Sequence, residues 1–155
     1  MEPISSLQIQ HILVPCDFSP HSTEVLKYGC DLARRYNATL TLFHVYEPPT
    51  YAVPPDGALL ATPETLATQI EEVMDSLSEI KKAVERSGVT TVHTKVAQGM
   101  PAAEIIQESL EGHYQLLVMG THGRTGLQHV LMGSVAEKVV RKSDCPVLTI
   151  RTKVA

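Results

Sequence analysis

Two hydrophobic periods alternate along this chain: short apolar runs, and longer stretches where apolar residues recur every three or four positions. The first run, residues 9–14 (Ile-Gln-His-Ile-Leu-Val), ends at Pro15 and suits a buried parallel strand. Ser19-Pro20 supplies an N-cap followed by proline at the first helical position. Val25, Leu26, Gly29, Leu32, Ala33 and Tyr36 then keep helical spacing, which predicts a helix to about Asn37. Residues 39–45 are β-branched and apolar, a second strand. Residues 47–61 follow, with Pro48, Pro49, Pro54, Pro55 and Gly57; this longest irregular piece reads as a lid or as a plain surface excursion.

Thr62-Pro63 opens the next helix by the same device. Leu66, Ile70, Val73, Leu77, Ile80 and Val84 form one stripe that needs only a core to face, not a coiled-coil partner, and Gly88 ends it. Residues 89–97 alternate, Val92, Thr94 and Val96 on one face against His93 and Lys95 on the other, as in an edge strand with one face partly wet. Gly99-Met100-Pro101 leads into a helix carrying Ile105, Ile106 and Leu110 and ending near Gly112. A fourth strand (114–119), a glycine-rich loop, a fourth helix (135–142) and a fifth strand (146–151) complete the chain.

Five strands alternating with four helices predict an open α/β fold: a five-stranded parallel sheet with helices on both faces, one domain over residues 1–155. The first and fourth strands are the most continuously apolar and belong at the centre. Right-handed crossovers then favour the order 3-2-1-4-5, with the alternating third strand at an edge. Strand order reverses between strands one and four, where ligands of such sheets bind beyond the carboxyl ends. Pro15-Cys16-Asp17 and the segment from Gly120 onward must meet there.

That segment, Met119-Gly120-Thr121-His122-Gly123-Arg124-Thr125-Gly126 with Gly133-Ser134 closing it, is where the candidate chemistry lies. Glycine lets amide N–H groups approach an anion closely, and a helix N-terminus adds open donors and partial positive charge. The loop is neither a Walker A sequence nor a dinucleotide G-x-G-x-x-G after the first strand. It reads as an anion site, against the alternative of a simple turn. Asp17 is placed to accept hydrogen bonds from ribose hydroxyls or an adenine amine, or to cap the turn into the first helix. Arg124 is the loop's cation, for phosphate or for solvent. Ser134 offers a hydroxyl and an amide to a ligand, or only a cap to its helix. His122 and His129 flank the loop, either touching phosphate or merely exposed.

Composition narrows the function classes. At a net charge of −4, with 5% aromatic residues and no Trp, a nucleic-acid partner is not expected. No apolar run is long enough to span a membrane, and the acidic start lacks a basic leader, so a cytoplasmic protein is expected. Three cysteines without a C-x-x-C pair suggest free thiols in a reducing compartment. Seven histidines include no H-E-x-x-H and no zinc-ligand spacing, so no metal site of the chain's own is expected. No serine sits in G-x-S-x-G and no acid lies in the loop to orient water, so no catalytic residue is assigned.

With these residues in view, the chain resembles the universal stress protein family from Ile9 to Arg151. Gly120, Gly123, Gly133 and Ser134 match the ATP-binding signature G-x2-G-x9-G-[ST] of that family. The blocks His11-Ile12-Leu13-Val14-Pro15-Cys16-Asp17-Phe18-Ser19, Leu42-Phe43-His44-Val45 and Ser143-Asp144-Cys145-Pro146-Val147-Leu148 support the match. The resemblance implies an adenine nucleotide alpha hydrolase-like sheet and membership of the ATP-binding branch. Pro15, Asp17 and Val45 would line adenine and ribose. Met119, Gly120, Gly123, Gly133, Ser134 and Val135 would hold ribose and phosphates, with Mg2+ or Mn2+. Phe18 departs from the small residue or glycine that many members carry after the aspartate, and is expected to narrow the entrance. The family also tends to pair through its last strand, which implies a homodimer along Val147 to Arg151. The leading function is an ATP-binding regulatory or stress-response protein with slow or no hydrolysis. The alternatives are an enzyme, an ATPase or adenylyl-transferring relative, and a nucleotide-free dimeric interaction module.

Overall fold

A computed structural model describes residues 6–47, 63–122 and 132–152. The strands are β1 (His11–Pro15), β2 (Thr39–Tyr46), β3 (Val92–Gln98), β4 (Leu116–Gly120) and β5 (Val147–Ile150). The helices are α1 (Pro20–Tyr36), α2 (Pro63–Arg86), α3 (Pro101–Glu111) and α4 (Ser134–Lys142). The strands form one sheet in the order β3-β2-β1-β4-β5, every pair parallel. Register sets Val14 beside Leu42 and Leu13 beside Leu117, so the apolar runs stack across the sheet's middle.

Two apolar layers cover that sheet, as its sequence pattern requires. Ile12 and Val14 face Val25 and Ala33 of α1 and Leu77 and Val84 of α2. Leu13, Leu117 and Met119 face Ile105 of α3 and Ala136 and Val139 of α4. Residues 12–14 and 117–118 are fully buried, which is why no polar residue interrupts them. β3 keeps the alternation of an edge strand: Val92 is buried while His93 and Lys95 are exposed. Gly29 lets α1 sit close, since a Cβ there would lie 3.0 Å from Val14 Cγ2.

The α2 stripe is buried only toward its C-terminal half. Leu77 and Val84 are covered, but Ile70 stays 42% exposed. The reason is length: α2 has 24 residues, about 36 Å of helix, beside the seven residues of β3, about 23 Å of strand. Gly88 lies beyond the end of α2 with φ +97°, a left-handed value suited to glycine. Most of the proline-rich stretch 47–61 lies outside the described residues, as do Gly123, Arg124 and His129.

Candidate functional site

At the carboxyl ends of β1 and β4 the sheet opens into a crevice of about 270 Å³, near the lower end of small-molecule sites, roughly 300–1,000 Å³. Helix crossovers leave on opposite faces here, so no helix fills the gap. Pro15 at the end of β1, Asp17 just beyond it and Val45 of β2 form one wall. Met119 and Gly120 of β4, with Gly133, Ser134 and Val135 at the head of α4, form the other. Gly123 and Arg124 lie outside the described residues.

The β1–α1 turn is built around the Asp17 carboxylate. Its Oδ1 accepts from the Ser19 N–H at 3.0 Å, from the Ser19 hydroxyl at 2.6 Å and from the Ser22 hydroxyl. Asp17 therefore ties the start of α1 and also lines the crevice; the two roles coexist. Ser19 occupies the N-cap position, but its side chain makes no cap hydrogen bond; its hydroxyl donates to Asp17.

Phe18, with φ at +60°, stacks its ring on His44 at 4.3 Å. It lines a neighbouring depression against α2 that shares His44, Val45 and Glu47 with the crevice, and is not itself among the crevice-lining residues. His44 is buried, and its Nδ1 stands 2.7 Å from Cys16 O. A carbonyl only accepts, so Nδ1 carries the hydrogen. Cys16 lies at the crevice as well; burial, with the Asp17 charge second, pushes its thiol up to about 12.

On the other wall, the glycines act differently from expectation. The Gly133 N–H donates to Thr121 O at 2.7 Å, and the Thr121 N–H to Ile150 O at 3.0 Å. A Cβ on Gly120 would stand 3.1 Å from His122 O, and one on Gly133 3.2 Å from Thr121 O. These two glycines make room for the chain's own backbone, and the Gly133 amide is spent inside the protein. Glu137 N–H makes the first return bond of α4, to Gly133 O at 3.0 Å. The amides of Ser134, Val135 and Ala136 precede it, where a helix has no internal acceptors, and all three residues line the crevice.

The described lining carries two carboxylates, Asp17 and Glu47, three imidazoles, His21, His44 and His122, and no Lys or Arg. Thr121 Oγ1 sits 3.0 Å from His122 Nδ1 and holds that ring beside the opening. Among the described residues no group of three His, Cys, Asp or Glu could hold a metal ion. Sequence reading missed His21, Thr121, Ala136, Phe43 and Ile105 as lining residues. The helical stripe of α3 signalled that Ile105 is buried, but not that it reaches the crevice. No helix among the described residues is long and apolar enough to cross a membrane.

Comparison with known proteins agrees in family and fold. The model of the Universal stress protein family matches residues 8–151. Universal stress protein MJ0531 of Methanocaldococcus jannaschii is 36% identical over 90% of this chain and 81% of its own length. The solved structure of MJ0577, from the same organism, superposes with a TM-score of 0.81 at 29% identity, covering 96% of this chain and 100% of that one. More distant in sequence are a universal stress protein solved in complex with cAMP (TM-score 0.73, 23% identity, covering 95% and 100%) and one from Archaeoglobus fulgidus in complex with dAMP (TM-score 0.62, 20% identity, covering 92% and 98%).

Proposed function

Because the chain belongs to the universal stress protein family, we propose that it holds ATP in the crevice between β1 and β4 and uses occupancy as a regulatory state, with slow or no hydrolysis. One observation carries this reading: the Asp17 turn and the first three residues of α4, whose amides precede the helix's first return bond, line a single cleft. The carboxylate suits sugar hydroxyls or a base amine, and the amides suit phosphate oxygens. Solved relatives holding cAMP and dAMP support an adenine nucleotide as the ligand class.

ATP fits the crevice chemistry better with a divalent cation than alone. Asp17 and Glu47 would repel a bare triphosphate, and an Mg2+ or Mn2+ ion carried on the phosphates relieves that repulsion. The chain offers no ion cage of its own among the described residues, so the ion would be held by phosphate and water. Arg124 and Gly123 complete the proposed phosphate site on the strength of the signature. For hydrolysis a base aligned with an attacking water is needed; the Asp17 Oδ1 already accepts three protein hydrogen bonds. In this reading the protein works in the cytosol and pairs as a homodimer through its last strand, a proposal supported by Leu148, 36% exposed on the sheet edge.

The test is direct. Protein purified without added nucleotide is denatured and the supernatant analysed; close to one adenine nucleotide per chain is expected. Timed incubation with Mg-ATP then separates holder from hydrolase through the ATP-to-ADP ratio. An empty supernatant together with no uptake of Mg-ATP by calorimetry would overturn the proposal.

A further inference from the structure

His21, in the first turn of α1, and Thr152, just past β5, lie 131 positions apart in sequence and meet with Nδ1 and Oγ1 at 2.6 Å. His21 also lines the crevice, whereas Thr152 does not. A second tie reaches the same end of β5 from the other wall. Ile150 O accepts the Thr121 N–H at 3.0 Å, and Thr121 O accepts the Gly133 N–H at 2.7 Å. The close of the last strand is thus fastened to α1 on one side and to the head of α4 on the other.

We propose that the His21–Thr152 pair couples the α1 wall of the crevice to the end of the last strand, so that the two stiffen and loosen together. In its ligand-dependent part this rests on the nucleotide reading above: a nucleotide in the crevice firms the free edge of the sheet. By linkage, covering that edge tightens the nucleotide by the same factor. Both partners are only partly buried, so water competes for their hydrogen bond. A ligand seated against the His21 ring excludes that water and removes alternative rotamers, which favours the made bond. A ligand that never touched the ring would shift nothing.

Amide exchange on the full chain tests the coupling in both directions. In ligand-free protein, His21→Asn should speed exchange of the Thr121 amide, whose acceptor is Ile150 O. Thr152→Val, which removes only a hydroxyl, should speed exchange of the Ser22 amide, which donates to Ser19 O at 3.0 Å. Each change should be about threefold or more, the effect of losing one ordinary hydrogen bond, with α3 unaffected. Rates at both amides equal to wild type would overturn the coupling whether or not nucleotide binds. With saturating Mg-ATP, exchange across β5 should slow in wild type and stay unchanged in Thr152→Val, whose crevice lining is intact. Equal slowing in the two proteins would overturn the ligand-dependent part. If wild type takes up no Mg-ATP, the nucleotide reading and the ligand-dependent part fail together, and the ligand-free rates decide the coupling.

Discussion

Gly133→Ala separates two reasons for placing glycine at the head of α4. Gly133 has φ −70° and ψ 159°, values that alanine adopts without strain. If glycine served only to admit phosphate, alanine would stabilise the ligand-free protein by about 0.4–1 kcal/mol, through fewer unfolded conformations. The structure argues the opposite sign. A Cβ at 133 would stand 3.2 Å from Thr121 O and 3.8 Å from His122 Cα. Thr121 cannot retreat freely, because its carbonyl accepts the Gly133 N–H at 2.7 Å and its own N–H is held on Ile150 O.

Crowding of this kind costs about 1–3 kcal/mol, and alanine is also the poorer N-cap. Net of the unfolded-state gain, Gly133→Ala should lose about 1–2 kcal/mol, a fall in Tm of about 2–4 °C per kcal/mol for a chain this size. Gly120→Ala should move the same way, since its Cβ would lie 3.1 Å from His122 O and 3.4 Å from Val25 Cγ2. The assay is urea denaturation of protein stripped of nucleotide while unfolded and then refolded. If both variants prove as stable as wild type or more so, close approach of the chain to itself is not why these positions are glycine.

Three further outcomes follow from single groups. Burial raises the Cys16 thiol from 9.0 to about 12, so between those values the unfolded chain releases a proton that the folded one keeps. Stability should therefore fall with rising pH, starting near 9, by about 1.4 kcal/mol per unit; Cys16→Ala should flatten the slope of urea midpoints at pH 8, 9 and 10, and an unchanged slope would refute the assignment. Asp17→Ala removes the acceptor for three hydrogen bonds at the start of α1, and should cost about 2–4 kcal/mol in nucleotide-free protein; full stability there would make Asp17 purely a ligand residue. Tyr114→Phe deletes the hydroxyl that donates to buried Glu108 at 2.6 Å, leaving Lys95 at 2.6 Å as its other partner. A loss of about 1–2 kcal/mol is expected by thermal melting, and no loss would mean that Lys95 alone satisfies the carboxylate.

The sheet was legible in sequence because its strands differ in how many faces they bury. Ile12, Leu13 and Val14 have both faces covered and tolerate nothing polar, while His93 and Lys95 betray the open side of β3. That contrast ranks strands from centre to edge, and the chirality of crossovers does the rest. The crevice follows from the order, which is why Pro15, Asp17, Met119 and Gly120 meet where the reversal requires. What stayed hidden are directions rather than positions. Phe18 itself takes the left-handed region and stacks on His44, and no neighbour in sequence announces φ +60°. Likewise, Ser19 stands where a cap belongs, yet its side chain makes no cap hydrogen bond and its hydroxyl donates to the carboxylate two positions earlier.

The glycine loop shows how a motif's spacing can carry an incomplete reason. Glycine spacing says that backbone comes close to something; it does not say to what. At 120 and 133 the near neighbours are His122 O and Thr121 O, so these two glycines first bring the described ends of the loop together. α4 begins directly after that closure with its first three residues lining the crevice and the Gly133 N–H already committed to Thr121. On the nucleotide reading the signature is a two-stage device: its described glycines fix the origin of the helix, and the helix would supply the donors for phosphate. If the crevice holds a triphosphate as proposed, a substitution that shifts that origin should weaken its binding through the displaced amides, which lie one to three residues further along.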